Sequence, residues 1–197
     1  MKVLVFDTET TGLPKNNPSI YQTDLWPYIV QLSYVIYDVD NAHLITEQDH
    51  IIKLSESINI SEESVKIHGI SKEKSNTLGI NIKTALKKFI EDMKTVDLLV
   101  GHNISFDKRM IIVECIRNKI QGRFPSEQAK YFCTMKKGTE ICKIEAVNKE
   151  TNETYFKYPK LEQLYYNFFK TKPQGLHNSL VDVHACLACF LEMYNSL

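Results

Sequence analysis

The apolar run Val3-Leu4-Val5-Phe6 leads directly into Asp7, with Glu9 two residues on, and strand alternation places both carboxylates on the face begun by Val3 and Val5. A strand whose buried face ends in two acids constrains the fold sharply. The charges are costly to desolvate and repel one another unless something positive joins them. Chance gives about 0.7 Asp-x-Glu pairs in a chain of this composition, so the pair gains meaning from what accompanies it.

Two further acids sit in equally apolar company. Asp182 is followed by Ala185, Cys186, Cys189, Phe190 and Met193 at +3, +4, +7, +8 and +11, the stripe that a helix buries. No Lys or Arg lies between Lys172 and the C-terminus, so no neighbour on that helix can pair with it. A divalent cation is the economical partner. Asp107 falls in the first turn of a helix expected to start at a Ser105 cap and run to about Lys119, with Met110 and Ile111 beside it. His177, five residues before Asp182, would lie about 140° round a helix from it. To share a site it must precede the helix, on a loop behind Gly175 with Asn178 as cap. There a neutral imidazole can take a proton from water without ligating a metal.

The rest of the composition narrows the function classes. The 197 residues, 43% hydrophobic and 24% charged, are the balance of a soluble globular protein, and one domain over 1–197 is expected. Twenty-four basic residues against 24 acidic ones exclude a broadly basic coating protein and an acidic disordered tail, so a polyanion must be gripped locally. Arg109, Arg117 and Arg123 are the only arginines, too few forks for sequence-specific reading of DNA. Five scattered cysteines do not make a disulfide framework, and a reducing, intracellular, cytoplasmic setting is expected. The four-residue N-terminal apolar run is too short for a signal core or a membrane span.

Val, Ile and Tyr enrichment predicts strands over Lys2 to Asp7, Ile29 to Asp38 and His43 to Leu54, the last two joined as a hairpin. A short helix starts at Ser61, and a longer one covers Asn81 to Met93 with Ile82, Leu86, Phe89 and Ile90 at helical spacing. A buried strand spans Asp97 to Val100 before Gly101; Leu161, Leu164, Tyr165 and Phe168 mark a later helix, and another closes the chain. Pro14 to Ser19 and Ala146 to Glu153 read as loops, and Tyr131 to Met135 carries no assignable pattern. A meander followed by alternating helix and strand implies a mixed sheet covered by helices.

DTETTGL at 7–13, GHNISFD at 101–107 and HNSLVD at 177–182 together resemble, in order and spacing, the three motifs of the DEDDh exonuclease family. This family groups proofreading subunits of bacterial replicative polymerases with related 3′-to-5′ exonucleases of DNA and RNA. The resemblance spans residues 3–194 and includes the softer IHGIS at 67–71. It implies an α/β, ribonuclease H-like fold with a mixed five-stranded sheet flanked by helices. It also implies that Asp7, Glu9, Asp107 and Asp182 hold two Mg²⁺ or Mn²⁺ ions, with His177 as general base. Oxygen-only ligands accord with such hard cations. The implied activity is release of nucleoside 5′-monophosphates from single-stranded 3′ ends, DNA preferred, with RNA trimming on the same fold as the alternative. A non-catalytic binding or polymerase-accessory domain is more remote, since its sign, a missing acid or histidine, is absent. A polymerase is a partner class the family brings in, and no tethering tail is expected after Leu197. Pro14 to Tyr28 is longer than in compact proofreading subunits, and Ser179 and Val181 stand where the family often has Ala and an acid.

In such relatives the residues after the first motif contact the terminal nucleotide, which makes Thr10, Gly12 and Leu13 candidates here against a plain turn at Gly12. Phe106 is a candidate for stacking on a base against a core role, and His102 and Asn103 are further substrate candidates. His68 and Gly69 read as helix termination and packing. Cys186 and Cys189 have a zinc-like spacing but lie within one helix, on its buried stripe, with no second pair, so packing is expected. Lys87 with Lys88 and Lys136 with Lys137 read as solvated surface rather than a phosphate track.

Overall fold

The computed structural model describes residues 1–120 and 130–195; Arg123 lies outside the described residues. Strands β1 (Lys2–Thr10), β2 (Ile29–Asp38) and β3 (His43–Ile51) form an antiparallel meander, and β4 (Leu98–Gly101) and β5 (Lys130–Cys133) add in parallel on the other side of β1. The order β3-β2-β1-β4-β5 is the mixed five-stranded sheet expected. It leaves β1 central and covered on both faces.

Alternation along β1 divides the core in two. Leu4 and Phe6 pack with Tyr34, Phe89, Met110 and Ile111 under α3 (Ile82–Met93) and α4 (Ile104–Arg117). Val3 and Val5 pack on the other face with Val183, Cys186, Leu187 and Phe190 of a long C-terminal helix, Ser179–Asn195. Phe89 sits 5.2 Å from Phe6 and 5.1 Å, edge-on, from Tyr34, which fixes α3 on the sheet.

The local signals that place the helices are mostly those in the sequence. Ser61 caps α1 (Glu62–His68) by accepting the Ser64 amide, and Gly69 ends it in the left-handed region at φ +69°. Asn81 caps α3 by accepting the Lys83 amide, and Asn178 accepts the Leu180 amide at the head of the last helix. Ser105, however, is not a cap. Asn103, at φ +63°, makes so tight a turn after β4 that the helix has begun by Ile104, and it ends at Arg117, short of Lys119. β1 runs three residues past Asp7 because the ladder to β2 continues to Glu9↔Gln31 and Thr10↔Ile29 through a register shift. β3 stops at Ile51, and Ile52 turns instead to a parallel bridge with Ile80.

Three features were not legible. α2 (Lys72–Leu78) is a short polar helix capped by Ser71. Tyr131 to Met135 proves to be the edge strand β5 and the start of α5 (Thr134–Cys142). The stretch read as a loop before Glu153 is closed by a two-stranded hairpin, β6 (Glu145–Val147) and β7 (Thr154–Phe156), ahead of α6 (Leu161–Phe169). The helix Ser179–Asn195 is α7. Among the described residues no helix is long and apolar enough to cross a membrane.

Candidate active site

Because β1 extends beyond its apolar run, Asp7 and Glu9 continue the Val3 and Val5 face and meet α7, whose first turn carries Asp182. One carboxylate oxygen from each of Asp7, Glu9 and Asp182 lies within 4.8 Å of the other two, a grouping able to hold a metal ion. Ser179 fastens the two elements together: its hydroxyl donates to the Asp7 carbonyl at 2.8 Å and its amide to Gln31 Oε1 at 3.3 Å. Asp107 approaches from α4, on the opposite face. Thr8, the residue between the two acids of β1, points that way and donates both its amide, at 3.0 Å, and its hydroxyl, at 2.7 Å, to Asp107 Oδ1. The four acids therefore wrap the end of one strand from both sides of the sheet.

Burial and mutual repulsion dominate their electrostatics. Burial, then Asp182 and Asp107, pushes Glu9 up to about 8. Burial pushes Asp107 up to about 7 despite its two bonds from Thr8. Asp182 is pushed up to about 6 by burial, against the pull of the His177 amide and imidazole. Asp7 is raised well above the ordinary carboxylate range by burial and then by the other three acids. Among the described residues no ion pair joins any of the four. A hard, oxygen-only donor set with no cationic side chain fits Mg²⁺ or Mn²⁺, and its repulsion is the kind that such ions relieve.

His177 precedes α7 on an exposed loop, in the left-handed region at φ +70°, and its amide donates to Asp182 Oδ2 at 3.1 Å. Its imidazole lines a cleft of about 820 Å³ together with Glu9. The same cleft is lined by Thr10, Gly12, Leu13 and Phe106, and on a further wall by Leu25, Trp26 and His68. Glu9, the acid of the four that lines this cleft, thus shares one opening with His177 and an apolar wall.

The sequence profile of the RNase T family, described as Exonuclease, matches residues 4–190. The chain belongs to this exonuclease family, of the DEDDh type. Its fold is similar to that of E. coli exonuclease I in complex with a dT13 oligonucleotide, with TM-score 0.71 and 16% identity over 98% of this chain and 40% of that one. The zinc-bound E. coli exonuclease I complex with single-stranded DNA gives 0.72 and 18%, over 99% and 40%. The nuclease domain of 3′hExo, a DEDDh member bound to rAMP, gives 0.70 and 14%, over 99% and 92%. The chain thus spans about 40% of the length of exonuclease I. No curated protein sequence matches it.

Within this member of the DEDDh family the substrate candidates separate. Leu13 is 79% exposed, an apolar side chain left in solvent at the cleft mouth, whereas Phe106 is half-buried against the core beneath it. The Thr10 hydroxyl donates to the Gly12 carbonyl at 2.7 Å and so shapes the turn that presents Leu13. Gly12 needs no left-handed conformation, and open space surrounds the position of a Cβ. His102 and Asn103 do not line the cleft. Both ring nitrogens of His102 are engaged, Nδ1 with Thr134 Oγ1 at 3.0 Å and Nε2 with the Pro159 carbonyl at 3.1 Å, and burial pushes its pKa down to about 4. It braces the loop before α6. Asn103 is spent on the turn into α4.

His68, read as a helix terminator, does more than that. Its Nδ1 accepts the Ile70 amide at 3.1 Å, which leaves the Nε2 proton for the Thr10 carbonyl at 3.2 Å, so it supports the cleft floor as well as lining it. Cys186 and Cys189 sit in separate apolar clusters, one under β1 and one against α6, and act as packing. The wall from Asp24 to Pro27 was beyond sequence reasoning, because its order depends on Arg117 some ninety positions away.

Proposed function

We propose that this exonuclease is divalent-metal dependent, works from the 3′ end, and removes nucleoside 5′-monophosphates from single-stranded ends, DNA before RNA. Residues 1–197 would act as one exonuclease domain. The observation that carries the reading is the convergence of Asp7, Glu9 and Asp182, with no ion pair to any of them among the described residues, beside a cleft shared by Glu9, His177 and apolar side chains that include Leu13 and Phe106. Two Mg²⁺ or Mn²⁺ ions held by Asp7, Glu9, Asp107 and Asp182 would supply charge stabilisation at the reacting phosphate.

The chain's own residues do the rest. A neutral His177 ring nitrogen accepts a proton from the attacking water, while the His177 amide keeps Asp182 oriented. Attack at the terminal phosphorus breaks its bond to the penultimate 3′ oxygen. Leu13 and Phe106 give the terminal base an apolar surface, which recognises a base without reading its identity. A duplex end would have to fray to reach them. The DNA preference draws support from likeness to exonuclease I bound to dT13. RNA is the second reading, favoured by likeness to a domain of matching length bound to rAMP. A 2′-hydroxyl contact would decide between them.

The test is a product ladder from matched 5′-labelled DNA and RNA oligomers with Mg²⁺ or Mn²⁺. Stepwise shortening with retained 5′ label is expected, faster on DNA. Immediate release of the label as a mononucleotide would reverse the polarity, faster RNA cleavage would reverse the preference, and no ladder in either cation would remove the nuclease assignment.

A further inference from the structure

A second cavity, of about 350 Å³, opens on the other side of the first turn of α4, between that turn and the junction of β5 with α5. Its charged lining is wholly cationic: Lys108 from α4 and Lys136 and Lys137 from α5, with no Asp or Glu among the described lining residues. None of these three lysines is in an ion pair among the described residues. Lys108 Nζ lies 4.2 Å from the centre of the Tyr131 ring, which draws the ammonium against the cavity wall. The Tyr131 hydroxyl is buried there with no hydrogen-bond partner among the described residues, a polar group left unmatched. In a chain of zero net charge, three unpaired cations from two helices around one concavity are a local concentration of positive potential.

Its position gives it a ligand. Ile104 and Ser105 line this cavity, and Phe106, the next residue, lines the cleft, so one turn of α4 is the partition between them. β1, β4 and β5 run parallel, and both openings sit beyond their carboxyl ends, the edge at which open α/β sheets take ligands. α4 and α5 both begin here, neither with a side-chain cap, which adds the partial positive charge of two helix ends.

We propose that this lysine-lined cavity binds a phosphodiester of the nucleic-acid strand upstream of the nucleotide in the cleft. The inference rests on the exonuclease reading above and deepens it by adding a second contact on the same strand. Lys136 and Lys137, which looked like solvated surface in the sequence, hold the backbone as point charges without reading sequence. A strand too short to cross the α4 turn gains nothing from them.

The test measures anisotropy of 5′-labelled dT2, dT4 and dT8 with the full chain in EDTA at several salt concentrations, with inorganic phosphate titrated separately by calorimetry. Lys136 and Lys137 are exposed helix positions, so the Lys136→Ala/Lys137→Ala variant should fold, and a thermal melt checks it. The expected result is dT8 binding weakened about tenfold in the double variant, a salt slope smaller by about 0.7, the single-strand value for one phosphate, and dT2 binding unchanged. Lys108→Ala should weaken dT8 in the same direction and by less, with dT2 again unchanged. Equal dT8 binding by variant and parent overturns the proposal, as does an equal loss for dT2. Inorganic phosphate binding that the lysine substitutions abolish, without any length effect, would assign the cavity to a free anion and overturn the strand assignment. Length-dependent binding without cleavage in the ladder assay would keep the cavity and remove the nuclease reading; cleavage without length dependence would do the reverse.

Discussion

Thr8 places two hydrogen bonds, one from its amide and one from its hydroxyl, on a single oxygen of Asp107, 99 residues away. The pair of bonds locks the α4 side of the site to β1. Thr8→Val keeps the β-branched shape and the amide bond but loses the hydroxyl. A supporting bond of this kind is worth about 10- to 100-fold in metal affinity or activity, so kcat/KM should fall by that factor at limiting Mg²⁺, with Thr8→Ser restoring it. Unchanged metal dependence in Thr8→Val would mean the hydroxyl is only packing.

The raised carboxyl values carry a sign for stability. Asp182, Asp107 and Glu9 titrate at about 6, about 7 and about 8 when folded, against ordinary values near 4 unfolded. The native state therefore holds more protons between those limits, and without metal its stability should fall as pH climbs from about 4 to about 8. In EDTA the melting temperature should be lower at pH 8 than at pH 5.5, Mg²⁺ should restore it at pH 8, and Glu9→Gln should flatten the trend. The same variant, like Asp7→Ala and Asp182→Ala, should have lost turnover. A melting temperature in EDTA that rises with pH over this window would contradict the unrelieved repulsion.

What was legible depended on range. Asp182 stood out because its helix carries an uninterrupted apolar stripe, and Asp7 with Glu9 because alternation alone fixes their face. The brace from Thr8 to Asp107, the bond from the Ser179 amide to Gln31 and the support of Thr10 by His68 all join residues more than fifty apart, where local pattern is silent. The β6–β7 hairpin was hidden for another reason. Its strands are three residues each and nearly all exposed, so no buried face imposes alternation. The partners of His102 were hidden because a motif position says nothing about which groups its nitrogens find.

His177→Ala should lower turnover by roughly 10² to 10⁴, the usual worth of a positioned general base, while Mg²⁺ affinity changes little. The His177 amide, which remains, is what touches Asp182. Calorimetry showing much weaker Mg²⁺ binding in His177→Ala would make the imidazole a ligand instead.

Arg117 governs the far wall of the cleft. Its Nη2 donates to the carbonyls of Thr23, at 2.6 Å, and Trp26, at 3.1 Å, and both terminal nitrogens reach Pro27, while its plane lies 3.8 Å over the Tyr28 ring. Glu114, buried and itself accepting the Ile29 amide, holds Arg117 Nη1 at 2.5 Å. The long Pro14 to Tyr28 segment is thus tied through its carbonyls, an arrangement that only a forked donor can make. Arg117→Met leaves Glu114 without its partner and should cost about 3 kcal/mol, or roughly 6–12 °C of melting temperature for a domain of this size. Arg117→Lys keeps the charge beside Glu114 but cannot reach three carbonyls, so it should recover part of the melting temperature and little of the wall. KM for oligonucleotides should then remain raised while kcat stays near the parent value, since no catalytic group has moved. If Arg117→Lys restored KM along with stability, the wall would be ordered by charge alone, and the fork at its root would have no part in substrate binding.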